Sequence, residues 1–223
     1  MRNAFSMGVL LAISMVFGGC ATQQASVDYT AFRQAKPRSL LVLPPVNNSP
    51  DVNATTSMLA QVTQPLAESG YYVIPVTLMN ETFRQNGLSN PPDIHAVAPA
   101  KLQEIFGADA ALYITITKYG VSYTVFNSVV VVSANAKLVD LRTGTTLWSG
   151  SATANNDQGN NSGGGPLGLL VTALVKQVMN NTMDASHTVA GKTSSILLSA
   201  GRPNGLLYGP RSPRFGTDGQ AHP

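Results

Sequence analysis

The sequence contains a single cysteine, Cys20, and the residues before it suggest how its thiol is used. Arg2 gives a positive start, residues 7–17 (MGVLLAISMVF) form an apolar run, and two glycines precede the cysteine. This order is typical of a secretory signal peptide, which we predict over residues 1–19. The apolar run is too short to cross a hydrocarbon core of roughly 30 Å as a helix, so a cleaved leader is favoured over a membrane span.

Residues 17–20 (FGGC) resemble a bacterial lipobox, with Phe17 in place of the usual Leu. The resemblance implies that the Cys20 thiol receives a diacylglyceryl group, that the chain is cut before Cys20, and that the new amine is acylated. Two or three acyl chains make a stable membrane anchor, whereas one does not. In that class an Asp after the cysteine favours inner-membrane retention, so Ala21 favours the outer membrane. The alternatives are a soluble secreted protein and an uncleaved leader with an incidental Cys20.

Other reactive side chains do not form a recognisable centre. His95, His187 and His222 are far apart in the sequence and lack metal-ligand spacing, so no zinc site is expected. The glycines at 159–165 are not followed by the Lys-Ser/Thr pair of a phosphate-binding loop. Neither a GxSxG nor an SxxK nucleophile motif is present. We therefore predict no catalytic residue, no metal and no cofactor.

Four aspartates lie next to predicted turns: Asp51, Asp93, Asp109 and Asp140. Short carboxylates at such positions usually accept hydrogen bonds from nearby backbone N–H groups. We interpret them as turn and capping residues rather than general bases.

The composition favours an envelope protein with a real core. Hydrophobic residues make up 43% of the chain and charged residues only 11%, against roughly 25% in ordinary soluble domains. The net charge of +3 comes from the ends, because residues 39–201 contain seven Lys/Arg and nine Asp/Glu, a balance of −2. No basic stripe with interleaved aromatic residues is present, so nucleic-acid binding is not expected.

The first half of the chain alternates strand and helix patterns. The run LLVL at 40–43 predicts a strand buried on both faces. A helix at 54–69, kinked or split at Pro65, and a strand at 71–76 complete a βαβ-like unit with parallel strands. Short helices are predicted at 77–85 and 99–106, and a central strand at 109–117.

The second half reads as an antiparallel meander and an apolar helix. Strands at 137–141 and 145–154 form a hairpin around Gly144. Residues 155–165 are predicted to be a flexible loop, and a helix from Pro166 to residue 183 is apolar on more than one face. That helix is either a core element or a partner interface. A short segment at 194–199 is helical or simply packed down, and the tail from residue 201 is mostly irregular.

The order of these features resembles a family of bacterial lipoproteins classed as a domain of unknown function. The resemblance implies a small α/β domain like the amino-terminal domain of the translocation protein TolB. It also implies association with a CsgG-like lipoprotein and another small lipoprotein in an envelope transport or secretion assembly. The residues that carry it are Cys20, KPRSLLVLPP at 36–45, NNS at 47–49, YYVIPV at 71–76, DAALY at 109–113 and LLYGP at 206–210.

Together these features predict a lipoprotein with a single α/β (α+β) domain and a mixed sheet. The expected organisation is a signal peptide at 1–19, a lipidated end and tether at 20–36, the domain at 37–200 and a tail at 201–223. The expected function is that of a lipid-anchored, periplasm-facing outer-membrane lipoprotein, a non-enzymatic structural or accessory component of an envelope transport or secretion complex. A homo-oligomer is a further possible assembly. The alternatives are a regulatory module acting on a periplasmic cell-wall enzyme and, third, an enzyme.

Overall fold

A computed structural model describes residues 27–123, 128–156 and 185–218 of the chain. The first strand, β1 (Ser39–Val42), lies inside a mixed sheet of order β3-β1-β4-β5-β6. It pairs in parallel with β3 (Tyr72–Val73) and with β4 (Ala110–Tyr123). A two-residue strand, β2 (Val46–Asn47), also pairs in parallel with β4. A strand with parallel neighbours on both sides and covered faces explains the apolar run at 40–43.

The other half of the sheet is antiparallel. Strand β5 (Ser128–Asp140) pairs with β4 and then with β6 (Thr146–Asn155). The β5–β6 turn places Gly144 at a φ of 72°, a backbone conformation that glycine adopts without steric cost. The predicted hairpin and the mixed α/β fold are therefore confirmed.

Six helices lie among the described residues, and two of them pack together over the sheet. The second and the last are in mutual contact, and the last also packs on β5 and β6. They are α1 (Thr30–Ala35), α2 (Ala54–Glu68), α3 (Val76–Gln85), α4 (Pro91–His95), α5 (Pro99–Phe106) and α6 (Ala185–Leu198).

The structure corrects two details of the first βαβ unit. Of the kink or split predicted at Pro65, the split does not occur: helix α2 continues to Glu68, because Pro65 lies in the last turn and interrupts only one internal hydrogen bond. The ring of Pro65 is buried and packs into the core. The strand predicted at 71–76 is only Tyr72–Val73, since Pro75 lacks an N–H for the sheet and precedes the start of α3.

Helix α6 is longer than the predicted segment at 194–199, because it begins at Ala185. Its small residues allow a close approach to α2: a Cβ added at Gly191 would lie 3.1 Å from the Gln61 side chain. The Thr193 hydroxyl contacts the carbonyl oxygens of Val132 and Val189 at 3.1 and 3.0 Å. Tertiary packing therefore holds a helix whose Ser, Thr and Gly content gives it little intrinsic propensity.

The two ends of the described chain meet on the domain. The Tyr29 hydroxyl donates to the Gly205 carbonyl at 2.6 Å, and the Val27 N–H donates to the Asn204 side chain at 3.3 Å. Tyr29 and Phe32 are buried, so residues 27–36 of the predicted tether pack on the fold rather than extend from it.

The C-terminal segment has no helix or strand between residues 199 and 218, as predicted, but it is held firmly. Leu206 and Leu207 are buried in the core. Beyond them the backbone crosses that of residues 69–71: the Gly209 N–H donates to the Ser69 carbonyl at 2.8 Å, and the Arg211 N–H donates to the Gly70 carbonyl at 3.1 Å. This crossing is so close that no side chain fits between the two glycines.

Candidate partner-binding surface

The residues that the sequence marks for anchorage and partner contact are not among those described. Cys20, the helix predicted from Pro166 to residue 183 and most of the loop at 155–165 lie outside them. At the start of that loop, Asn155 ends β6, and the Asn156 N–H donates to the Val130 carbonyl.

Three of the four predicted turn carboxylates accept backbone hydrogen bonds, Asp51 from the Asn53 N–H at 2.9 Å, whereas Asp93 accepts from the Asn90 side-chain amide at 3.2 Å. Asp140 accepts from the N–H groups of Arg142 and Thr143 at 3.0 and 2.7 Å, which fixes the β5–β6 turn. Asp109 accepts from the N–H groups of Arg38 and Ser39 at 2.8 and 3.0 Å. Asp109 thus joins the beginnings of β1 and β4, two strands that neighbour each other in the sheet.

His95 is a packed residue of the fold. Its Nε2 lies 2.9 Å from the Pro44 carbonyl, and its ring meets Tyr113 edge-on with centroids 5.2 Å apart. Burial lowers the pKa of His95, and the positive charge of Lys137 acts in the same direction, while the Pro44 hydrogen bond opposes both. The neutral imidazole is therefore the favoured form.

His187 belongs to a buried polar cluster that the sequence analysis missed. Its Nδ1 lies 2.7 Å from the Ser57 hydroxyl, and its Nε2 contacts the Gln61 amide. The Tyr119 hydroxyl donates to the same Ser57 oxygen at 2.7 Å. The cluster thereby links α2, the start of α6 and strand β4 across a sequence separation of up to 130 residues.

A serine next to a histidine raises the question of nucleophilic catalysis. In such a pair the second ring nitrogen usually contacts a carboxylate that orients the ring, but here it contacts the Gln61 amide. Ser57 is 7% exposed and already accepts the Tyr119 hydroxyl, so a substrate has little access to it. The geometry favours a structural connection between helices and sheet.

Metal ligation has no candidate among the described residues. No group of three or more His, Cys, Asp or Glu side chains in that part of the chain could hold an ion. The prediction that the protein has no metal concerns the whole chain and stays a prediction.

The end of the β4–β5 hairpin is the strongest candidate for partner contact. We call it the arm: residues 119–123 of β4 and 128–132 of β5. The two segments pair with each other over their whole length. On its other side β4 pairs with β1 and β2 only between Ala110 and Ile116, so the arm's β4 edge has no partner strand among the described residues. An open edge of this kind is a template for adding a strand from another chain.

Apolar side chains are exposed towards the end of the arm. Tyr123 is 82% exposed and Val121 39%, whereas Val130 and Val132 are buried. No Asp, Glu, Lys or Arg occurs at 119–136, between Lys118 and Lys137. Natural edge strands are commonly protected by charged residues, especially lysine, and this one lacks them. The uncharged stretch was visible in the sequence and is the signal that could have identified the arm.

The opposite edge of the sheet is partly covered. The Trp148 indole N–H donates to the Asn204 carbonyl at 3.0 Å, so the C-terminal segment lies against the start of β6. A cavity of about 450 Å³ lies beside this contact and is lined by residues such as Val27, Ser151 and Arg202. This edge is therefore less accessible than the arm.

In the described ranges, no helix has both the length and the apolar character needed to cross a membrane.

Comparison with known proteins identifies relatives over most of the chain. The family described as "Putative lipoprotein GNA1162-like" matches residues 27–211. A protein of Neisseria meningitidis serogroup B (strain ATCC BAA-335 / MC58), named "Putative lipoprotein NMB1124/NMB1162", is 51% identical over 202 residues. The match covers 90% of this chain and 94% of that protein.

The solved structure of a lipoprotein agrees with the fold described above. The crystal structure of lipoprotein GNA1162 from Neisseria meningitidis is 56% identical, with a TM-score of 0.52. The match covers 65% of this chain and 99% of that one. A PelC dodecamer from Paraburkholderia phytofirmans is more distant, at 13% identity and a TM-score of 0.44, with 79% of this chain and 95% of that chain covered.

Proposed function

We propose that this chain, which belongs to the lipoprotein family described as "Putative lipoprotein GNA1162-like", is a lipid-anchored outer-membrane lipoprotein that faces the periplasm. Its role is that of a non-enzymatic accessory component of an envelope transport or secretion complex. The observation that carries the proposal is the arm, whose two uncharged segments carry exposed apolar residues and whose β4 edge pairs with no strand in the described part of the chain.

Anchorage is assigned to acyl chains on Cys20. The family is one of lipoproteins, and the described chain starts at Val27, seven positions after Cys20. Seven extended residues span at most about 24 Å, so the anchor keeps the domain close to the membrane surface. Ala21 supports the outer membrane through the resemblance of residues 17–20 to a lipobox.

The partner proposed for the arm is a protein of the same envelope assembly, with a CsgG-like lipoprotein as the first candidate from the family resemblance. Strand addition supplies backbone hydrogen bonds, and side chains such as Tyr123 supply the apolar contact. A second copy of this chain uses the same edge if the protein forms a homo-oligomer.

The alternative, a module that regulates a periplasmic cell-wall enzyme, requires reach across the periplasm. Residues 27–36 pack on the domain, so at most seven residues, about 24 Å when extended, separate the proposed anchor from the domain. This short length supports the complex-component proposal over the regulator.

The test is a pull-down from solubilised envelopes after mild crosslinking. The samples are wild type, Cys20→Ala, an arm variant (Val121→Lys/Tyr123→Lys) and a control (Val52→Lys/Leu78→Lys). The control adds the same two charges at apolar residues that are 87% and 58% exposed elsewhere on the surface.

We expect partner lipoproteins to co-purify in a fixed ratio with wild type and the control, and to be lost from the other two variants. The mass of the amino-terminal peptide and density-gradient fractionation of membranes check the acylation of Cys20 and the outer-membrane location. A protein that emerges alone and monomeric from wild-type envelopes would overturn the complex-component role.

A further inference from the structure

A cleft lies where the first helix meets the C-terminal segment. Phe32 and Pro37 line it on the amino-terminal side, and Leu207, Tyr208 and Phe215 on the carboxy-terminal side. Its volume is about 350 Å³, within the roughly 300–1,000 Å³ range of small-molecule pockets.

The cleft has a mostly apolar lining. Phe32, Tyr71 and Leu207 are buried residues of its inner surface, while Phe215 is 45% exposed. The Tyr71 hydroxyl donates to the Leu207 carbonyl, so its polar end is satisfied within the protein and its ring remains as wall. Burial raises the pKa of Tyr71, and the negative charge of Asp218 raises it further. The inner part of the cleft therefore offers contact for hydrocarbon rather than for a polar ligand.

Positive charge surrounds this apolar interior. Arg33 and Lys36 both line the cleft and are exposed. Arg214 lies next to it, with its guanidinium donating to the Tyr208 hydroxyl at 2.8 Å. The one acidic residue of the lining, Asp218, accepts the Tyr208 backbone N–H. The cations Arg33 and Lys36, with Arg214 beside them, outnumber the carboxylates of Asp218 and of Asp28 near Arg33, which favours an anionic group at the opening.

The position in the chain places the cleft near the lipid bilayer. Arg33 is 13 positions after Cys20, and residues 30–35 of that stretch are helical. The argument from position rests on the proposed anchor, because an acylated Cys20 keeps this end of the domain at the membrane.

We propose that the cleft binds one acyl chain of an anionic membrane phospholipid, with the lipid phosphate facing Arg33 and Lys36. The hydrocarbon lies against Phe32, Tyr71 and Leu207. No covalent step is involved, and the site is distinct from acylation at Cys20.

The experiment uses the full lipidated chain in nanodiscs of phosphatidylethanolamine and phosphatidylglycerol. The probe is lysophosphatidylglycerol with a photoreactive diazirine in its acyl chain, and labelled residues are located by peptide mass spectrometry. The cleft variant is Arg33→Glu/Lys36→Glu. The control is Arg142→Glu/Lys192→Glu, which makes the same charge change at exposed residues outside the cleft lining.

Labelling of wild type is expected within residues 32–37 and 207–216. Reversal of both cleft charges should reduce it about tenfold, since charge-assisted contacts to phosphate are among the stronger polar interactions. The control should be labelled like wild type, and circular dichroism checks that both variants fold.

Equal labelling of the cleft variant and the control would overturn the proposal, as would labels confined to other regions. Competition by oleate but not by phosphatidylglycerol would identify a free fatty acid and overturn the phospholipid assignment. A parallel measurement on the Cys20→Ala chain, with the probe supplied in solution, separates the two proposals. Labelling there supports the cleft even if the anchor proposal fails.

Discussion

Replacement of Gly209 by alanine tests how tightly the C-terminal segment is fixed to the domain. A Cβ at residue 209 would lie 2.5 Å from the Gly70 carbonyl oxygen and 2.7 Å from its carbon. Gly209 does not have a positive φ, so its backbone conformation suits alanine and the obstacle is steric. Since the opposing atoms are backbone, one of the two segments must move.

The expected cost follows from the contacts that such a movement disturbs. The hydrogen bonds from the Gly209 N–H to Ser69 and from the Arg211 N–H to Gly70 are both lost or stretched, at about 1 kcal/mol each. Overpacking at a tight site adds about 1–3 kcal/mol. Allowing for partial relaxation, we expect Gly209→Ala to lower the free energy of unfolding by about 2–4 kcal/mol. This corresponds to a melting temperature roughly 5–15 °C lower.

Gly107→Ala is the matched control. Gly107 has a φ of 63°, but a Cβ there would meet nothing within 4 Å. Its cost is therefore only that of the left-handed backbone conformation, about 1 kcal/mol. Urea denaturation followed by circular dichroism and by the fluorescence of Trp148 compares the two variants. If Gly209→Ala costs no more than Gly107→Ala, the close crossing at Gly70 does not hold the C-terminal segment.

Three further substitutions test individual contacts. Tyr119→Phe removes the hydroxyl that donates to Ser57 and should lower the free energy of unfolding by about 1 kcal/mol; an unchanged urea midpoint would contradict the proposed structural role of the cluster. Tyr71→Phe leaves the buried Leu207 carbonyl without its donor and should lower the free energy of unfolding by about 1–3 kcal/mol in the same assay; a decrease of less than about half the lower value would mean that water replaces the hydroxyl. Because burial lowers the pKa of His95 below 6.5, the unfolded chain binds the proton more readily. The stability given by the neutral ring is complete above about pH 6.5 and declines as the pH falls further. Urea midpoints measured at several pH values should therefore depend less on pH in His95→Asn than in wild type. An equal change of midpoint with pH in the two proteins would refute the assignment of this dependence to His95.

Local sequence patterns predicted the elements whose burial pattern repeats regularly. The run at 40–43 gave β1, and the periodic apolar residues of 54–69 gave α2. The Gly144 turn gave the β5–β6 hairpin. Strand β1 is buried on both faces and helix α2 on one, so a continuous apolar run and a periodic one record the burial of each element directly.

Helix α6 could not be predicted in the same way. Residues 185–198 (ASHTVAGKTSSILL) have low helix propensity and only a weak apolar stripe. What holds them is contact with distant residues, such as the Ser194 hydroxyl with the Met58 sulfur at 3.0 Å. Contacts made across more than 100 residues leave no local periodicity in the sequence.

The candidate sites likewise differ in whether a local sequence pattern predicts them. Anchorage at Cys20 was predicted from adjacent residues, and the arm has a local signal in its missing charges. The cleft has none, because Phe32 and Leu207 are 175 positions apart and only the fold brings them together. Similarly, the role of His187 depends on Ser57 and Gln61 of another helix.

The meeting of the two chain ends sets an order for folding. Val27 and Tyr29 contact Asn204 and Gly205, residues that are synthesised more than 170 positions later. Contacts of such long sequence separation form late, after the intervening chain has closed its loops. The packing of residues 27–29 on the domain is therefore a late step. Under the acylation of Cys20 proposed above, this delay leaves time for the modifying enzymes to reach the cysteine before the neighbouring residues are fixed on the fold.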